Sequence, residues 1–135
     1  MSPRLGIDTN VLLRIAVSDD AQQSERIRSF IAHLKEDDVL FINVSVIVEA
    51  FWVLNRFYQY PRTAILDFLQ AILERREFEV AEFEAVGNAI HACRHGSVDF
   101  PDALLSEMNR SAGCSTTFTF DRKAAARVPG MELLA

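Results

Sequence analysis

Residues 4–14 read Arg4-Leu5-Gly6-Ile7-Asp8-Thr9-Asn10-Val11-Leu12-Leu13-Arg14, and their period changes halfway along. The short apolar run ending at Ile7 has the length of a buried strand, whereas Val11 to Arg14 opens a helical pattern. Asp8 stands at the changeover, which puts its carboxylate at the mouth of a sheet. Open sheets of parallel strands take their ligands in the crevices outside the carboxyl ends of the strands. Asp8-Thr9-Asn10 also has the chemistry of a helix N-cap, whose side-chain oxygen accepts the first unpaired amides. Both roles are open to Asp8.

Working outward, short runs of strand character alternate with longer runs at helical spacing, the pattern of an α/β fold with a parallel sheet flanked by helices. Strands are expected at Leu5 to Ile7, Val39 to Ile42, Glu77 to Val80, Thr116 to Phe120 and Glu132 to Leu134. Asp20 to Glu36 places Ile27, Phe30, Ile31 and Leu34 on one face, which predicts a helix packed on the sheet. Asn43 to Tyr58 and Arg62 to Arg75 predict two helices joined at Gln59-Tyr60-Pro61, with Pro61 in the first turn of the second. Their aromatic residues Phe51, Trp52, Phe57, Tyr58 and Phe68 suit either a helical hairpin projecting from the sheet, with apolar surface left for a partner, or the core itself. Glu82 to Arg94, Pro101 to Ala112 and Arg122 to Arg127 complete the helices.

The chain has 135 residues, half of them hydrophobic, enough for one domain, residues 1–135, to bury a core without disulfides or a structural metal. Cys93 and Cys114 are far apart, with no metal-ligand spacing, and are expected to act as small apolar residues in a reducing compartment. No run is long enough to span a bilayer, so a soluble, cytoplasmic protein is expected. A net charge of -5 argues against coating nucleic acid by bulk electrostatics. It leaves room for a nucleic-acid enzyme whose arginines (Arg14, Arg56, Arg62, Arg75, Arg76, Arg110, Arg122) act locally.

Three more carboxylates stand at hinges like that of Asp8. Glu49 lies in Val44 to Leu54, apolar nearly all round. It either shares a polar stripe with Ser45 and Arg56 or is partly buried, where an ionised carboxylate must meet a cation or lose its charge. Asp99-Phe100-Pro101-Asp102 opens a helix with Asp99 as N-cap and Asp102 at N3, projecting toward the crevice beside the first strand. Asp121 ends the run Thr116 to Phe120 and either caps Arg122 to Arg127 or repeats the position of Asp8. Two carboxylates ~4 Å apart repel by about 4 kcal/mol at an effective dielectric of ~20. A cluster of three or four is therefore untenable unless some protonate or a cation neutralises them, and all-oxygen ligation suits Mg2+ or Mn2+. His91 and His95 are i, i+4 but lack a third ligand, and His95 before Gly96 suits a helix C-terminus. There is no G-x-G-x-x-G, P-loop or G-x-S-x-G, so no nucleotide cofactor is expected.

Taken together, these motifs resemble the PIN-domain nucleases, and within them the small toxin ribonucleases of VapBC-type toxin-antitoxin pairs. Gly6 to Arg14 is similar to the family's first motif, Ser45 with Glu49 to the second, Asp99 to Leu105 to the third, and Thr119 to Lys123 to the fourth. Arg62 to Arg94 matches no motif. The resemblance implies a Rossmann-like sheet and Asp8 and Asp102 as main metal ligands. It also implies Glu49 and Asp121 completing the site directly or through water, with Thr9, Asn10, Asp99 and Thr119 in support. A homodimer and a cognate VapB-like antitoxin that blocks the site are implied as well. The activity expected is Mg2+- or Mn2+-dependent hydrolysis of an RNA phosphodiester by a metal-activated water.

Two rivals stand beside it. An aspartyl phosphotransferase or phosphatase also places an Asp after the first strand, but such sites resemble D-x-D, and Asn10 stands where the second Asp would be. The other is a PIN-like binding module without catalysis whose acidic patch docks a basic peptide.

Overall fold

In a computed structural model, residues 3–134 are described. Met1, Ser2 and Ala135, the outermost residues of the expected domain, lie outside them. The chain forms two compact units, residues 1–81 and 82–135.

The first unit runs β1 (Arg4–Gly6), α1 (Thr9–Ala16), α2 (Ala21–Ala32), β2 (Val39–Ile42), α3 (Val44–Arg56), α4 (Arg62–Glu74) and β3 (Phe78–Val80). Its three strands form a parallel sheet in the order β1-β2-β3, with Leu5 opposite Leu40 and Leu40 opposite Phe78. β2 is central, and its Leu40 and Ile42 have no exposed surface. The ladder runs one step past β1, since the Ile7 amide donates to the Phe41 carbonyl at 3.1 Å. Asp8 is thus the first residue free of the sheet.

Each crossover carries two helices. α1 buries Leu12 and Leu13, and α3 buries Ile47, Ala50, Phe51 and Leu54. α4 buries Ile65, Leu66, Leu69 and Ile72 and packs on α3 and β3, so the α3–α4 pair does not project from the sheet. The aromatic residues divide between the two expectations. Phe51 is core, whereas Trp52 and Phe57 are 53% and 74% exposed. Pro61 stands one position ahead of α4, its carbonyl accepting the Ala64 and Ile65 amides.

α2 departs from expectation. It ends at Ala32, leaving Leu34 beyond it, and Phe30 is exposed while Ile27 and Ile31 are only half-buried. Its one fully buried residue is Ser24, and its neighbour is α1. The apolar stripe is too short and interrupted to seat the helix deeply.

The second unit runs α5 (Phe83–His95), α6 (Phe100–Ser111), β4 (Thr117–Thr119), α7 (Arg122–Arg127) and β5 (Met131–Leu133). α5 and α6 pack on each other, and β4 and β5 pair in parallel. Cys93 is buried on α5, but Cys114 is exposed, contrary to the expectation of an apolar role for both. The rings of His91 and His95 stack at 4.1 Å, and His95 Nδ1 lies 2.9 Å from the His91 carbonyl oxygen, a helix-end contact. No helix among the described residues is long and apolar enough to cross a membrane.

Gly130 carries the turn into β5 at a φ of 88°, and a Cβ there would stand 2.6 Å from Ser106 Oγ. That hydroxyl is buried and donates to the Pro129 carbonyl at 2.7 Å. Gly130→Ala therefore strains the backbone and crowds a hydrogen bond together. It is expected to lower stability by about 1–3 kcal/mol, measured as a drop in the urea midpoint without a change in slope.

Candidate functional site

Asp8 is both things its sequence allows. It is the N-cap of α1, with Oδ1 accepting the Val11 amide at 3.0 Å, and it remains exposed at the end of β1. An open cleft of about 450 Å3 begins there, lined by Asp8, Thr9, Asn10, Arg14, Glu49 and Tyr58 among others. β1 delivers Asp8, and β2 delivers α3, whose N-cap Asn43 accepts the Ser45 amide at 3.2 Å. Glu49 follows on α3. Thr9 Oγ1 donates to Glu49 Oε1, tying the two walls of the cleft together.

Glu49 lies on the exposed side of α3, in register with exposed Ser45, Trp52 and Arg56. The alternative of a half-buried carboxylate is thereby set aside. Arg56 lies 5.7 Å above the Trp52 ring rather than on Glu49. What singles Glu49 out is the Thr9 hydroxyl and the cleft, not desolvation.

A second acidic group lies in the other unit. Asp99 occupies the N-cap position of α6, but its side chain makes no capping hydrogen bond. Pro101, the second helical residue, has no N–H, which leaves the Asp102 amide as the one capping partner open to it. Asp102 follows in the first turn, half-buried. Burial, and then the negative charges of Asp99 and Asp121, raise its carboxyl above the ordinary range. Asp121 caps α7, with Oδ1 accepting the Lys123 and Ala124 amides at 2.9 and 3.0 Å. Thr119 Oγ1 in turn accepts the Asp121 amide at 3.0 Å.

The structure thus brings Asp8, Thr9, Asn10 and Glu49 into one cleft and places Asp99 and Asp121 within electrostatic reach of Asp102. Among the described residues, no three His, Cys, Asp or Glu side chains form a ready-made metal cage. Three residues form a cluster that the sequence reading did not join. Arg14 reaches into the cleft wall, with one guanidinium nitrogen on Asp19 and the other 3.0 Å from the Tyr58 hydroxyl. That hydroxyl donates to Asp19 at 3.0 Å. Tyr58 lies 44 positions from Arg14, so sequence spacing gives no sign of the triangle.

Parallel strands ending in carboxylates, with further carboxylates at helix starts, define an α/β protein with acidic groups in each of its two units. A family model identifies which: the PIN domain model matches residues 6–130, and the chain belongs to that family. It is 27% identical over 118 residues to a VapC ribonuclease of Aquifex aeolicus, covering 87% of each chain. Among solved structures it is similar to Mycobacterium tuberculosis VapC20, a sarcin-ricin loop cleaving toxin, at 19% identity and a TM-score of 0.44, covering 92% of this chain and 94% of that one. VapBC2 of Rickettsia felis, bound to a promoter DNA fragment, matches at 12% identity and a TM-score of 0.40 over 98% of each chain. Superpositions this loose carry nothing about function, which rests on the chain's own residues.

Asp102 sets a pH dependence. The native state holds its proton to higher pH than the unfolded chain does, so stability falls as pH rises from the ordinary carboxylate value through the raised one. In metal-free buffer, Asp102→Asn is expected to raise Tm at neutral pH, the gain vanishing below the ordinary carboxylate range. Calorimetry across pH checks this, and a gain equal at all pH values would assign the effect to packing. At Asp121, the N-cap is expected to survive Asp121→Asn, whereas Asp121→Ala costs about 1 kcal/mol in chemical denaturation.

Proposed function

We propose that this PIN-domain protein is a metal-dependent endoribonuclease and the toxin of a toxin-antitoxin pair. The observation that carries the reading is the acidic group around Asp102, where burial first and then the neighbouring charges of Asp99 and Asp121 raise its carboxyl above the ordinary range. Such unneutralised charge is costly unless a cation offsets it. The similarity to a VapC ribonuclease supports the same reading.

The donors fit a hard divalent ion. All are carboxylate oxygens, and Mg2+ takes one or two carboxylates while keeping several waters. Asp8 and Asp102 are the main ligands in this reading, with Glu49 and Asp121 completing the shell directly or through water. Bound there, Mg2+ or Mn2+ supplies an acidic water and charge neutralisation at the scissile phosphate.

The chain's own residues do the rest. Thr9 fixes the Glu49 carboxylate by its hydroxyl, so that Glu49 faces the cleft in one orientation. Thr119 and the first amides of α7 orient Asp121, and Asp8 is fixed by the Val11 amide. Groups held in this way lose little entropy when substrate arrives. Asn10 and Asp99 support the acidic residues beside them.

A cognate antitoxin inhibits by placing an Arg or Lys in the acidic crevice, supplying the neutralisation that the metal otherwise gives. Exposed Trp52 and Phe57 offer apolar surface for a partner chain, either the antitoxin or a second copy in a homodimer. The protein acts in the cytoplasm, where its RNA substrate is.

The test is cleavage of end-labelled structured RNAs by purified protein with Mg2+, Mn2+ or EDTA. Cleavage with either metal is expected, with none in EDTA. Asp8→Asn and Asp102→Asn are expected to lower the rate by at least about 100-fold with folding intact by circular dichroism, since an amide oxygen still caps α1. Cleavage at the wild-type rate in both variants would refute the assignment. Metal and partner binding with no cleavage of any RNA would leave a binding module.

A further inference from the structure

The cleft that opens at Asp8 and Glu49 is negative, yet its proposed substrate is a polyanion. One cation in its wall is held in place by other side chains. Arg14 projects from the last turn of α1, its side chain only 17% exposed, and forms a closed triangle with Asp19 and Tyr58. The Tyr58 hydroxyl accepts from Arg14 and donates to Asp19, so the tyrosine fixes both partners. Tyr58 follows α3, the helix that carries Glu49, and the triangle therefore registers the guanidinium against the acidic wall of the cleft.

Two of the five N–H groups of Arg14 are engaged in these contacts. Asp19 is 44% exposed. Water screens the pair on the Asp19 side, and a second anion would be taken by the N–H groups of Arg14 outside these two contacts. A planar fork of donors held near its working position matches the oxygens of a phosphate in a way that a lysine does not. In a chain of net charge -5, such a cation has to be supplied locally.

We infer that Arg14 binds a backbone phosphate of the RNA beside the scissile bond, with Tyr58 and Asp19 as the residues that position it. The assignment rests on the ribonuclease reading. The plain alternative is that the triangle only ties α1 to the connection that follows it and to the end of α3. That alternative predicts a change in stability and none in RNA affinity.

Arg14→Gln, Arg14→Lys and Tyr58→Phe separate the two, each made in the wild-type chain and in the Asp8→Asn background, with Tm followed throughout. Wild-type cleavage of RNA is the reference, and its absence would remove the ribonuclease reading and this assignment with it. Given wild-type cleavage, Arg14→Gln is expected to lower kcat/KM about 10- to 100-fold. In the Asp8→Asn background it should weaken RNA binding and make the slope of log affinity against log salt shallower by roughly 0.7, one single-strand phosphate contact. Arg14→Lys should restore the slope but only part of kcat/KM. Tyr58→Phe should lower kcat/KM with the slope intact.

Wild-type cleavage together with unchanged kcat/KM and slope in Arg14→Gln would overturn the inference while leaving the ribonuclease standing, as would a fall in Tm alone. Should Arg14→Gln fail to fold, unchanged kcat/KM in both Arg14→Lys and Tyr58→Phe overturns it equally.

Discussion

The register of β2 is the constraint on which the first unit depends. Leu40 and Ile42 have no exposed surface, and the strand is paired in parallel on both sides. Because side chains alternate along a strand, a slip of one residue would exchange these buried groups for Val39 and Phe41. Parallel pairing also brings the carboxyl ends of β1 and β2 to one edge. The chain leaves that edge at Asp8 on one strand and at Asn43 on the next, and both residues start helices. Glu49 then faces Thr9 because two strand ends and two helix starts were aligned by one ladder. The cleft is a product of register before it is a product of its own side chains.

Helix capping and the acidic site draw on the same atoms. Asp8 and Asp121 each cap a helix through Oδ1, and the capping bonds leave Oδ2 outside them. A carboxylate used in this way is fixed by the backbone and still carries its charge. Asp99 shows the contrary case, since it holds the N-cap position of α6 and its side chain makes no capping bond. Its charge instead acts on Asp102. Folding thus orients two of these carboxylates and sets others against each other.

Much of this was legible in the sequence. All five strands fall within a residue or two of their expected places because the change from short apolar run to helical spacing is sharp at each. Asp8 and Asp121 were legible as caps and as strand-end carboxylates together, since one side chain serves both. Glu49 was harder. An apolar helix suggested burial, but α3 leaves Trp52 exposed beside it, and only packing decides which apolar residues stay wet. Arg14 was in view as a locally acting arginine without its partners, because Tyr58 is distant along the chain and meets it only after folding. The weak seating of α2 was likewise hidden, its spacing being helical although its apolar stripe is thin.

α2 buries Ser24 and little else, and the Ser24 hydroxyl finds no hydrogen-bond partner among the described residues. With twelve residues, it is near the length below which an isolated helix is marginal in water. Its Asp20 cap and a surface Glu25–Arg28 pair add only modestly. The free energy needed to open this helix is therefore a small part of that needed to unfold the unit around it. Its amide hydrogens would exchange with solvent long before those of β2, so the first unit can loosen at α2 while its sheet stays closed.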